Sequence, residues 1–397
     1  MPITAGSYTF GATGGADYPT LGAIFAQMKG QTTTGDITIT QISDSYETGA
    51  ADCDAMTISS GHTVLIDNNT PHGGRLGVGN IIECDAASLY CRNVNGPGKL
   101  HVRNIQFKNT SEATYSRCLQ VTGSLAFDLH DCIFDSNERD VAYGIAWLYV
   151  QRTSVSGECN VHNCLFTGYI GTGFGTNGLL YLQGNVSSVI KISNITVDGL
   201  GGGPSAARIF GITNAASYVR NSVFMSNALP ALSTTDPSTN YSNIATNRTS
   251  AIGTDAITNF VPADEFISLD RANENYLVPK LTSQFHEAGS AVSQTEDMAG
   301  VTYDAAPPIG AYVGAESDSG GGLEDVIAVS DIRNPCDCGS KMVPRQEQDE
   351  ATGDDSIQCA ECGEEVIATG YNECIDAWNA ANTAITWDEI IAEQELE

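Results

Sequence analysis

Between residues 100 and 226 the chain alternates apolar and polar positions in short bursts, and the bursts repeat. LHVRNIQFKN from Leu100, FDLHDCIFDS from Phe127, CNVHNCLFTG from Cys159, IKISNITVDG from Ile190 and SYVRNSVFMS from Ser217 share one pattern. Aligned on Asn104, Asp131, Asn163, Asn194 and Asn221, each copy has a branched apolar residue two positions earlier: Val102, Leu129, Val161, Ile192 or Val219. Three positions later stand Phe107, Phe134, Phe166, Val197 and Phe224. Alternation with period two predicts half-buried strands. A second short strand precedes each copy: LYCR at Leu89, LQVT at Leu119, LYVQ at Leu148, LYLQ at Leu180 and IFGIT at Ile209. YSNIATN at Tyr241 reads as a degraded sixth copy.

The aligned polar residues are 27, 32, 31 and 27 positions apart. Constant strands with connections of variable length predict a solenoid, one coil per repeat, with parallel strands stacked in register. The Asn/Asp column is expected at the bend between two strands, where its side chains bond to turn backbone or to the neighbour above and below. The Phe column is expected to stack inside. Cys132 and Cys164 fall at matching positions of consecutive coils, either as stacked thiols or as a disulfide.

These copies resemble the right-handed parallel β-helix of the pectin-lyase-like superfamily over roughly residues 1–314. The fold class is therefore expected to be mainly β, a right-handed single-stranded parallel β-helix. GGADYPTLGAIFAQM resembles the lead-in of phage and bacterial β-helix proteins, which implies a capping helix within residues 1–35, started by Asp17 or Thr20. Residues 262–314 resemble the closing segment of such domains. Tyr276, Leu277, Ser283, Ala288, Gly289, Asp297, Gly300 and Ile309 to Tyr312 match its pattern, while Glu287 and Pro308 depart from it. The fold carries lyases, hydrolases, adhesins and tail spikes alike, so the resemblance implies no single activity.

Beyond residue 314 the composition changes. Residues 315–332 are rich in Gly, Ser and acids, as a flexible linker would be. Residues 333–397 carry Cys336 and Cys338, then Cys359 and Cys362. Thiolates on two tight turns can close a tetrahedral site, so a small Zn²⁺-binding ribbon is expected there. CDCGS, IQCAECG and ECIDAWN resemble the zinc ribbons of the Lar-type restriction-alleviation family. The first pair is one residue shorter than that family's knuckle, and Cys374 is an alternative ligand. TWDEIIAEQELE predicts a short amphipathic helix.

Charge restricts the partners. The 397 residues hold 48 acids against 18 Lys and Arg, a net charge of −30. Such a field disfavours nucleic acid and anionic membranes, and it suits a halophilic or marine setting. Residues 315–397 alone carry 21 acids and three bases. No apolar run is long enough for a membrane helix, and MPITAGSYTF lacks the features of a secretory signal. Synthesis in a host cytoplasm without a signal peptide is the resulting expectation, with most cysteines as reduced core residues.

The polar side of the repeats concentrates His101, Arg103, His130, His162, Lys191 and Arg220. As a group they suit a groove that grips an acidic glycan or a neighbouring subunit, although a solvated strand face accounts for them more simply. Paired acids for glycoside cleavage, or acids beside a Lys or Arg base for a lyase, are not evident on these strands. Asp128 beside His130 comes nearest to an acid/base pair. The leading expectation is a non-enzymatic structural protein on the surface of a tailed virus particle. It would form a spike, turret or capsid decoration, a symmetric homo-oligomer bound to other virion proteins and in contact with host-surface glycan. A carbohydrate-active tail spike (polysaccharide lyase or hydrolase) is the second expectation, and a cell-surface adhesin the third.

Overall fold

The computed structural model describes residues 4–48, 51–85, 89–110, 118–139, 148–152, 157–169, 179–184, 187–200, 207–226, 232–233, 240–249 and 251–312, except positions 274, 281, 287, 293, 304 and 305. Of the C-terminal region it describes the backbone of three short strands. Two compact units result, residues 1–321 and 322–397.

The first unit is a stack of parallel strands. Its main sheet runs through Gly6–Phe10, Ile37–Gln41, Thr63–Asn68, Lys99–Arg103, Ala126–Arg139, Glu158–Tyr169, Val189–Gly199, Tyr218–Ser226, Tyr241–Thr246 and Ile257–Thr258. A second sheet stacks Ala51–Asp52, Leu89–Val94, Leu119–Gly123, Leu148–Arg152, Leu180–Gln183, Ala207–Phe210 and Leu232–Ser233. The repeats are thus coils of a parallel β-helix. The coils at Ile37 and Thr63, which lack the repeated phrase, precede the first copy. Asn163 and Asn194 lie in adjacent paired strands, and the sixth copy is a true coil strand, with Val219 opposite Tyr241. One boundary shifts. The strand expected at Ile209 begins at Ala207, which keeps the same inward parity and sets Ala207 opposite Leu180.

The aligned polar residues are corners. Asn104, Asp131, Asn163, Asn194, Asn221 and Asn243 all have φ between +49° and +58°. Among residues with a Cβ, Asn and Asp tolerate this left-handed conformation best, and that explains the column. The corner turns the wall, within one strand at Asp131, Asn163, Asn194, Asn221 and Asn243 and between two strands at Asn104. Val102, Leu129, Val161, Ile192 and Val219 before it, and the Phe/Val column after it, therefore all point into the core. Phe107, Phe134 and Phe166 stack with centroids 4.9 Å apart. Cys132 and Cys164 face one another in register as free thiols.

The ends are closed by local chemistry. Thr20, not Asp17, caps helix Leu21–Met28: its hydroxyl accepts from the Ala23 amide at 3.0 Å. The buried Glu47 carboxylate takes the Leu21 and Gly22 amides at 2.9 and 3.1 Å, adding a negative charge where the helix exposes unpaired donors. Asp17 instead accepts from the backbone and hydroxyl of Thr9. Among the described residues no helix is long and apolar enough to cross a membrane.

In the second unit, Arg345–Gln348, Asp355–Gln358 and Glu365–Ala368 form an antiparallel sheet in sequence order. Cys336, Cys338, Cys359, Cys362 and Cys374, and so the expected zinc ligands, lie outside the described residues, as do linker 315–332 and the terminal helix.

Candidate functional site

Four of the five Asn corners hold the closing segment. The Asn163 amide donates to the Glu296 carbonyl at 2.8 Å, Asn194 to the Pro308 carbonyl at 2.9 Å, and Asn221 to the Ser290 carbonyl at 2.8 Å. Asn243 donates to the Ser290 hydroxyl at 2.7 Å and to the Asn221 side chain at 3.2 Å. Bonding between neighbouring corners, expected along the whole column, occurs among the described residues at this last pair alone. The Asn104 amide instead donates to the Asp67 carboxylate at 3.0 Å. The segment is further fixed where the Gly310 amide donates to the Asn221 carbonyl at 2.8 Å and the Ala311 amide to the Thr196 hydroxyl at 3.1 Å.

One coil before Asn104, the corner opens into an excursion over residues 69–80. Its base is pinched by Asn68 and Asn80: the Asn68 amide donates to the Asn80 backbone carbonyl at 3.2 Å, and the Asn80 amide donates to Asn68 Oδ1 at 3.1 Å. His72 is buried within it. Its Nδ1 accepts from the Gly74 amide at 3.0 Å, which leaves Nε2–H to donate to the Asp131 carbonyl at 2.8 Å. Burial holds this imidazole neutral by pushing its pKa down. Tyr312 donates to the Gly74 carbonyl at 2.6 Å, tying the excursion to the closing segment.

Between excursion and closing segment lies a cleft of about 530 Å³. Its floor is Asn104, Asp131 and Asn163 with His130 and His162; its sides are Pro71 to Gly73 and Gln294 to Gly300. A smaller depression of about 190 Å³ adjoins it, sharing His162 and Gln294 and lined also by Asp128, Glu158, Asn160, Lys191, Ser193 and Tyr218.

The six residues singled out in the sequence do fall on this wall, in two files. One file runs His101, Asp128, Asn160, Lys191, Tyr218; the next runs Arg103, His130, His162, Ser193, Arg220. The cations of this wall stand beside acids one rung away. Asp67 accepts from Arg103 Nε at 2.9 Å and Nη2 at 2.6 Å; Lys191 meets Glu158 at 2.8 Å; Lys99 meets Asp128 at 2.5 Å. Arg220 lies over the Tyr218 ring, 4.5 Å from its centroid.

The histidines form a ladder. His130 stacks on His162 with centroids 4.7 Å apart and an interplanar angle of 5°. His130 Nδ1 donates to Asp131 Oδ2 at 2.5 Å, so its Nε2 accepts from His101 Nε2, 2.7 Å away. A fixed relay results: carboxylate, imidazole, imidazole. Burial first, then the closeness of the His130 ring, push His101 and His162 down to about 4. Asp128 is held below the usual carboxylate range; burial opposes this, but the Lys99 ammonium outweighs it. His162 Nε2 is 3.8 Å from Asp128 Oδ1.

Asp131, His72, Gln294 and Glu296 were not marked as site residues by sequence reasoning. A signal was present for Asp131, the single acid in a column of Asn. The others reach the cleft through the excursion and the closing segment, whose placement no local pattern encodes.

No protein-family model matches the chain, and no curated protein matches it. Among solved structures, pectate lyase Pel9A aligns over 79% of this chain and 97% of its own, with 12% identity and a TM-score of 0.31. A likeness at that level carries nothing to the cleft. By its own strand pairing the chain is mainly β, a parallel β-helix with few helices.

Proposed function

We propose that the protein is a non-enzymatic structural component of the surface of a tailed virus particle, a spike, turret or decoration whose β-helix wall contacts host-surface glycan. The observation that carries the reading is the pairing of charge on that wall. Lys99 pairs with Asp128, Arg103 with Asp67 and Lys191 with Glu158, and His130 donates to one oxygen of Asp131. Such a wall presents a fixed hydrogen-bonding relief and holds its acids and bases in mutual contact, which suits binding more than proton transfer. The phage-like lead-in and closing segment and the charge of −30 support the particle setting. Val261, Ile267 and Leu269 are exposed apolar residues that a symmetric oligomer contact would cover.

The C-terminal unit is proposed as a Zn²⁺ ribbon held by Cys336, Cys338, Cys359 and Cys362, serving as a docking knob. In its support, Cys359 and Cys362 fall in sequence between two paired antiparallel strands, Asp355–Gln358 and Glu365–Ala368. One observation favours the second reading, a polysaccharide-cleaving tail spike: an Asp131–His130 contact borders a cleft of substrate size.

Two measurements test these readings. Mass spectrometry of purified particles should find the chain, and its absence refutes the particle reading. Incubation with host surface polysaccharide should release no oligosaccharide. Release that is lost in Asp131→Ala or His130→Ala establishes the enzyme instead.

A further inference from the structure

The cleft floor departs from the corner pattern at one residue. Asn104, Asn163, Asn194, Asn221 and Asn243 place amides at the turn, and those amides donate to Asp67, Glu296, Pro308, Ser290 and again Ser290. Asp131 adopts the same φ, +51°, yet it has no amide to donate. Its Oδ2 accepts from His130, while its buried Oδ1 has no donor. His162, beside it on the floor, likewise has a buried Nδ1 without a partner. Asn194 also leaves a buried Oδ1 without a donor, but a carboxylate oxygen left so costs more than a neutral amide oxygen, and Asn would fit the same backbone. A local rule broken against stability, in the floor of a cavity, marks a binding group.

The cleft also specifies what it takes. Three acids, Asp131, Glu296 and Asp297, line it, and none of its described lining residues is Lys or Arg. Burial keeps the imidazoles of His72 and His162 uncharged near neutral pH. An anionic sugar would meet uncompensated negative charge here. A neutral sugar would bring hydroxyl donors to the carboxylates and find acceptors and donors in the Asn and His side chains.

We infer that this cleft binds an uncharged glycan through its hydroxyl groups, with Asp131 as the principal acceptor. The inference rests on the glycan-contact reading above and narrows it from an acidic ligand to a neutral one.

The test uses the full chain, a panel of neutral hexose oligosaccharides including maltohexaose and mannohexaose, and oligogalacturonate as the acidic probe. Isothermal titration should show at least one neutral probe binding at least tenfold tighter than oligogalacturonate. Asp131→Asn restores the corner's usual residue, so it should fold with an equal or higher melting temperature while weakening that probe at least tenfold. Arg208→Ala, on the other sheet, should leave binding unchanged. Undiminished affinity in Asp131→Asn, preference for oligogalacturonate, or no binding across the neutral panel overturns the assignment. Particles that contain the chain while the isolated chain binds no neutral probe refute the cleft alone. A chain missing from particles that still binds in the cleft refutes only the particle reading.

Discussion

Asn194 offers the sharpest test of why the coils turn where they do. Its residue is fully buried, its φ is +52°, and its amide donates to the Pro308 carbonyl at 2.9 Å. Asn194→Ala loses both features. Holding Ala in the left-handed region costs about 1–2 kcal/mol. Leaving the Pro308 carbonyl buried without its donor costs a further ~1–3 kcal/mol. Asn194→Gly loses only the amide at the corner, against a penalty of about 0.4–1 kcal/mol for its freer unfolded chain. Ala should therefore be the more damaging by roughly 0.5–1 kcal/mol, the left-handed cost less the glycine penalty. Guanidinium unfolding followed by far-UV circular dichroism gives the ordering as midpoint shifts, the safer quantity for a solenoid that need not unfold in one step. Hydrogen exchange supplies the local readout: both variants should speed exchange at Gly310 and Ala311, whose amides bond to Asn221 and Thr196. Equal midpoints for Ala and Gly would refute the conformational argument. Unchanged exchange at Gly310 and Ala311 would refute the role of the corner amide in holding the closing segment.

Three more outcomes follow from the same packing and charge. Phe134 is stacked on both faces and Phe107 on one, so Phe134→Ala should lose about 3–5 kcal/mol and exceed Phe107→Ala by about 1 kcal/mol, read by the same unfolding assay. His162 has a folded pKa of about 4 against 6.5, so the unfolded chain takes up its proton first as pH falls. Its contribution is complete above about 6.5 and is lost toward 4, a change of about 3 kcal/mol that His162→Gln should remove from the pH dependence of the melting temperature. The C-terminal unit should hold one equivalent of zinc by elemental analysis, and Cys359→Ser should lower it. Less than about half an equivalent in the unaltered chain sinks the ribbon.

Some of this molecule was set by short-range pattern alone. Parity of apolar positions fixes which side of each strand faces the core, so the Phe stack and the coil repeat are legible in the sequence. The Asn/Asp column was legible too, although its cause is backbone conformation more than amide bonding between coils. The chemistry of the wall was not. Whether Arg103 is a free cation or the partner of Asp67 depends on which rungs lie side by side, and variable loops hide that register. The cleft depends on segments far apart in sequence, an excursion near His72 and a closing segment near Glu296, brought to one corner by bonds such as Asn163 to Glu296. Local sequence encodes the strand and its inward face; only the stacked coils decide which polar groups meet across the turns.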